Sequence, residues 1–139
     1  MPLHLEILTP ERRVYEDEVD AVNAPGSEGY LGILPHHAPL FTALGPGELL
    51  VTKGGAVRAL AVFGGFMDVR DNRVTVLTDA AEQADEIDEQ RAQAARDRAR
   101  TQLQATVLSA DPAEEARARA ALERALIRLR VSERRRRRV

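Results

Sequence analysis

ELLVTKGGAVRALAVF, residues 48–63, places two runs rich in apolar and β-branched residues on either side of Lys53-Gly54-Gly55. Glycine adopts positive φ without steric cost, so a Gly pair between two strand-like runs reads as a β-hairpin. The device recurs at once in FMDVRDNRVTVL, residues 66–77, with Asp71-Asn72 at the turn. Upstream, LHLEI (residues 3–7) alternates Leu3, Leu5 and Ile7 with polar residues, the period of a half-buried strand. Gly64-Gly65 interrupts a strand-like run, which marks a bulge or a close backbone approach. Short, closely spaced strands predict a β-sandwich or flattened barrel over residues 1–84.

From about residue 80 the texture changes. Glycine disappears, and Ala and Arg dominate. Residues 86–108 and 113–133 read as helices, the first roughly 35 Å long at 1.5 Å per residue. Asp111-Pro112-Ala113-Glu114 is a helix start, with Asp111 as N-cap, Pro112 at the first helical position and Glu114 completing a capping box. The predicted class is therefore α+β: a sandwich, then an antiparallel two-helix hairpin over residues 85–139. Ala92, Ala95, Ala99, Leu103 and Val107 share one face of the first helix. Ala118, Leu122, Ala125, Leu126 and Leu129 share one face of the second. Such alanine-rich seams bury little area, at about 25 cal/mol per Å². A weakly held hairpin is a candidate for an element that detaches.

Composition narrows the function. The 139 residues are 44% hydrophobic, enough for a core. There is no cysteine, which excludes a disulfide framework and thiolate metal sites. The longest apolar run, Ala59–Met67, is too short and too broken to span a bilayer, and MPLHLEILTPE shows no secretory pattern. Residues 1–84 hold 6 basic and 12 acidic residues, whereas residues 85–139 hold 14 and 10. Adjacent His36-His37 point to opposite faces of an extended chain, so no metal site is expected. No nucleophile–base pair is apparent, and the chain is expected to be non-enzymatic.

GSEGYLGILPHHAPLFTALGPGELL, residues 26–50, has five glycines and three prolines yet is rich in Leu, Ile and Phe. Gly26-x-x-Gly29-x-x-Gly32 lacks the G-x-G start of a dinucleotide loop, and Pro35 and Pro39 follow where a helix would begin. The stretch instead closely resembles the signature of the epsilon subunit of bacterial F-type ATP synthases. FGGFMDV, NRVTVLTDAAE, EIDEQRAQAARDRA and ERALIRLRV extend the resemblance over nearly the whole chain. It implies a sandwich docked on the gamma subunit and the membrane c-ring, which accounts for an apolar, rigidly turned surface. By that resemblance Glu28, Gly29, Tyr30 and Leu31 face the c-ring, and His37, Ala38, Leu40 and Thr42 face gamma.

Ile87-Asp88-x-x-Arg91-Ala92 reads in isolation as a helical i,i+3 ion pair worth a few tenths of a kcal/mol. It also resembles the motif of the family's ATP-binding hairpins. The matching positions are Glu82, Ile87, Asp88, Arg91, Ala92 and Arg98, with Arg124 and Arg128 from the second helix. Arg91 and Arg98 lie two turns apart on one face, and guanidinium groups bind phosphate through paired hydrogen bonds. Arg117, Arg124 and Arg128 form a basic stripe, either a solvated face or, by the resemblance, a contact to an acidic segment of the catalytic beta subunit. The Arg134–Arg138 run is either a solvated extension or a lengthening of that stripe.

The resemblance implies a non-catalytic central-stalk subunit that couples gamma to the c-ring and whose mobile hairpin inhibits ATP hydrolysis. It requires no cofactor and takes ATP as a regulatory ligand. It lies peripherally at the cytoplasmic face of a bacterial plasma membrane, touches the membrane only through the complex and binds no nucleic acid. A nucleic-acid module, suggested by the basic C-terminal half, and a stand-alone nucleotide sensor are the alternatives.

Overall fold

Positive φ at paired turn residues sets the first local geometry. Gly54 and Gly55 lie at φ 58° and 81°, and Asp71 and Asn72 at 50° and 57°. Two consecutive left-handed residues suit the tight hairpin turn that matches strand twist, and Asp and Asn tolerate it best after glycine. The structure, a computed structural model, describes residues 2–109 and 111–136. Its strands are β1 (Leu3–Leu8), β2 (Arg13–Val19), β3 (Ala21–Gly26), β4 (Gly29–Ile33), β5 (Leu40–Lys53), β6 (Ala56–Arg70), β7 (Arg73–Leu77) and β8 (Ala81–Gln83). Helices α1 (Glu89–Ser109) and α2 (Pro112–Arg136) follow.

The strands run in the order β2-β1-β7-β6-β5-β3-β4, with β8 also paired to β6. Among the described residues, only β1 and β7 are parallel neighbours. The sheet folds over its own core because β5 and β6 bend. Leu44 pairs Gly65 and Pro46 pairs Phe63, and the ladder is interrupted between them at Gly45 and Gly64, which lie opposite each other in an unchanged register. Inward-facing residues change parity on both strands across this interruption, from Leu60 and Val62 to Met67 and Val69 on β6, and from Leu44 to Leu49 and Val51 on β5. Gly65 is irreplaceable there. Its φ is 118°, and an added Cβ would lie 2.0 Å from the Leu77 carbonyl oxygen. Eighteen buried side chains form the sandwich core.

β5 begins at Leu40 and runs through Gly45-Pro46-Gly47. Proline cannot donate to a ladder, and Pro46 sits beside the interruption at Gly45 and Gly64. Close approach explains Gly47, whose Cβ would lie 2.8 Å from Pro25 Cβ.

α1 starts three residues later than the pattern suggested. Ala84–Glu86 form a 3-10 turn, Ile87 is extended, and Asp88 caps the helix by accepting from the Arg91 backbone N at 3.1 Å. The isolated Asp88–Arg91 side-chain pair is thus replaced by a cap. Asp111 caps α2 as expected, its Oδ1 accepting from Ala113 N at 2.9 Å, while the Ser109 hydroxyl donates to Glu114 at 3.3 Å.

The hairpin seam holds Ala92, Ala99, Ala118 and Ala125. Val107 is not in it: it is 79% exposed, and Thr106 is buried in its place. Thr106 satisfies its own hydroxyl by donating to the Leu103 carbonyl at 2.7 Å, so burial leaves no orphan donor. α2 has a second apolar face that the leucine pattern did not reveal. Ile127 and Val131 are buried against Ala59, Ala61 and Ile87, with Leu50 and Phe63 alongside. Hence Ala59–Val62 of β6 is buried on both faces.

Candidate functional site

The joint between β8 and α1 opens a cleft of about 430 Å³, lined by Glu82, Glu86, Ile87, Asp88, Arg91, Ala92, Ala95, Arg98 and Arg128. That lies within the roughly 300–1,000 Å³ of small-molecule sites. Spacing explains the α1 wall: residues 88, 91, 92, 95 and 98 recur at three and four residues and share one helical face. The structure therefore brings together Glu82, Ile87, Asp88, Arg91, Ala92, Arg98 and Arg128. Arg124 does not line the cleft and is exposed on α2. Glu86 and Ala95 were missed by the sequence reading, although Ala95 lies on the same helical period.

The cleft's charges do not cancel evenly. Arg128 grips Glu82 through Nε at 3.0 and 3.1 Å and a second nitrogen at 2.9 Å, and its guanidinium stacks 4.8 Å from the Phe63 ring centre. Arg12 donates to Glu86. The Asp88 carboxylate is engaged at the helix cap. All three acids are thus answered within the protein. The guanidinium groups of Arg91 and Arg98 have no carboxylate partner among the described residues. The cleft thus combines apolar Ile87, Ala92 and Ala95 with two guanidiniums that lack a carboxylate partner, groups able to bind an anion through paired hydrogen bonds.

Of the basic stripe, Arg117 and Arg124 are exposed, while Arg128 turns inward to Glu82 and Phe63. In this arrangement the stripe is divided.

The sandwich's free surface has its own organisation. Glu28, Gly29 and Tyr30 are exposed at the β3–β4 turn, and the Tyr30 hydroxyl accepts from Glu48 N at 3.4 Å. Leu31 and Leu40 pack on the core, and Thr42 shares Leu40's inward parity. His37 is half-buried and Ala38 exposed. The outward parity of β5 carries Phe41, 67% exposed, stacked on Phe66 at 5.6 Å and 13°. Leu77 pairs with Phe66 and is 49% exposed. This aromatic patch was missed, yet strand alternation signals it: if Leu40 faces in, Phe41 faces out.

Family models match both parts of the chain. Residues 2–84 match the ATP synthase delta/epsilon chain β-sandwich domain, and residues 85–133 match its long α-helix domain. The chain belongs to the delta/epsilon chain family of ATP synthases. It is of the epsilon type. It is 59% identical over 95 residues to the ATP synthase epsilon chain of Roseiflexus sp. (strain RS-1), covering 68% of each chain. It is 49% identical over 135 residues to that of Dehalococcoides mccartyi, covering 97% of this chain and 95% of the relative. A chain of the Euglena gracilis mitochondrial ATP synthase, in an OSCP/F1/c-ring structure, superposes with a TM-score of 0.75 at 29% identity. That match covers 88% of this chain and 76% of the other.

Proposed function

We propose that this epsilon-type chain is a non-catalytic central-stalk subunit whose sandwich couples gamma to the c-ring and whose hairpin is a nucleotide-sensitive brake on ATP hydrolysis. The exposed Phe41–Phe66–Leu77 patch, beside His37 and Ala38, supplies the apolar gamma-facing surface. The Glu28–Leu31 turn supplies the c-ring-facing one. Membrane attachment is peripheral, at the cytoplasmic face of a bacterial plasma membrane and through the complex. No helix among the described residues is long and apolar enough to cross a bilayer.

One observation carries the nucleotide reading: Arg91 and Arg98, two turns apart on one face of α1, line a cleft whose acids already have hydrogen-bond partners. They receive the phosphates of ATP, with Ile87, Ala92 and Ala95 against the base or ribose. Because the cleft is walled by both α1 and Arg128 of α2, it exists only while the hairpin is folded on the sandwich. ATP therefore favours the folded state, by no more than its difference in affinity for the two states. Detached, the hairpin presents Arg117, Arg124 and Arg128 together, and these block rotation through an acidic segment of the beta subunit.

Calorimetric titration of ATP into the full chain tests the site. Saturable binding that is lost in Arg91→Ala is expected, and no binding up to millimolar ATP would leave the cleft a packing feature. Truncation after Asp85 tests the brake. Hydrolysis by the assembled complex should rise, and inhibition as strong as in the full-length complex would end the proposal.

A further inference from the structure

Two glutamates occupy one row of the sheet beneath α2. Glu48 of β5 pairs across the ladder with Ala61 of β6, and Ala61 pairs with Glu82 of β8. The two acids are therefore two strand spacings apart, roughly 9.5 Å. On α2, Arg128 and Arg134 are six residues apart, about 9 Å along the axis. Arg128 grips Glu82, and Arg134 grips Glu48 through Nε at 3.0 Å and a second nitrogen at 3.3 Å. The helix thus crosses β8, β6 and β5 with its arginines at the pitch of the strands, and Ile127 and Val131 fill the space between on Ala59 and Ala61. Sliding by one turn, about 5.4 Å, would break both pairs together.

The two clamps differ in one respect. Arg128 lines the cleft, so a phosphate bound there competes with Glu82 for its guanidinium. Arg134 and Glu48 lie outside the cleft, and the Glu48 side chain is only 12% exposed. We propose that Glu48–Arg134 is a nucleotide-independent latch that holds the C-terminal turn of α2 on the sandwich and sets how much of the hairpin is folded before any ATP binds. The inference rests on the reading of the hairpin as a mobile brake. It assigns the resting level of that brake to a contact separate from the nucleotide site. The Glu48 backbone N also donates to the Tyr30 hydroxyl, so the latch adjoins the β3–β4 turn that faces the c-ring in the proposed assembly.

The chain has no cysteine, so spin labels at Val57→Cys and Leu108→Cys, both exposed positions, report the distance from sandwich to hairpin tip in the full chain without ATP. Glu48→Gln and Arg134→Gln should each raise the long-distance population roughly three- to fivefold. The double variant should be no worse than either single one, and the exchange Glu48→Arg with Arg134→Glu should restore the short distance. An unchanged distribution in both single variants, with Ile127→Ala run alongside and releasing the hairpin, would overturn the latch. This readout does not involve the complex. Release in Glu48→Gln with no change in the complex's hydrolysis would uphold the latch while removing the brake.

Discussion

The sandwich and the hairpin are held by different amounts of the same physics. The sandwich interior closes over eighteen buried side chains, nearly all branched or aliphatic, drawn from every strand. The hairpin's dock on that sandwich closes over five, two of them alanine, with two arginine clamps at its margins. Burying a large aliphatic side chain is worth about 1.5–3 kcal/mol. Ile87, Ile127 and Val131 therefore supply only a handful of kcal/mol to the dock. Elements held at the low end of the stability range open locally while the rest stays folded. One chain thereby joins a deeply packed sandwich to a hairpin docked through a much smaller apolar contact.

The sharpest way to break the comparison is to strike the sandwich where it has no tolerance. Gly65→Ala should destabilise the whole chain by about 3 kcal/mol or more, because the new Cβ meets the Leu77 carbonyl and φ is unsuited to alanine. Denaturant unfolding measures it. Next, Leu60→Ala and Ile127→Ala should each cost about 2–4 kcal/mol, but in different transitions. Leu60→Ala should lower the global midpoint. Ile127→Ala should leave the sandwich midpoint in place and increase amide exchange only in the hairpin. If both substitutions shift one common transition, dock and sandwich are a single cooperative unit.

Smaller effects sharpen the comparison. Arg128→Ala removes a half-buried ion pair and a cation–π contact, and should loosen α2 by about 1 kcal/mol in hairpin exchange. The smallest effect belongs to the sandwich edge. His4 lies between Glu18, at 2.7 Å from Nδ1, and Glu16, at 3.2 Å from Nε2. The hydrogen bond to Glu18 raises its pKa above the ordinary 6.5, opposed by burial. A raised folded-state value means the stabilisation is complete below the unfolded pKa and is lost as pH rises through the folded one. Stability should therefore rise slightly as pH falls from 8 toward 6, and His4→Gln should remove that increment. No difference in pH dependence between the two chains would show the pair to be energetically silent.

Much of the architecture was legible because it rests on local rules. Paired turn residues at Gly54-Gly55 and Asp71-Asn72, alternation in Leu3–Ile7 and the Asp111 cap each state their geometry in a few adjacent positions. The cleft was legible in part. The α1 wall follows from helical spacing, and Glu82, Arg98 and Arg128 followed from the family resemblance. What escaped depends on pairings remote in sequence. Glu48 and Glu82 share a row only because β6 lies between their strands, and nothing in the spacing of Arg128 and Arg134 names that row. Ile127 and Val131 are buried by a second apolar partner, the outer face of β6, which the leucine pattern of α2 does not signal. Val107 failed as a seam residue because Thr106 can hydrogen-bond to its own helix. Strand alternation would have exposed Phe41, but only once the inward side of β5 was known.

The central claim is that the hairpin opens independently of the sandwich. Native-state hydrogen exchange on the full chain tests it most directly, by comparing amides of α2 around Ile127–Val131 with those of β6 around Leu60–Val62. The α2 amides should exchange through an opening of distinctly lower free energy, at denaturant concentrations where β6 remains protected. Equal opening free energies, with both segments losing protection in one global transition, would contradict it.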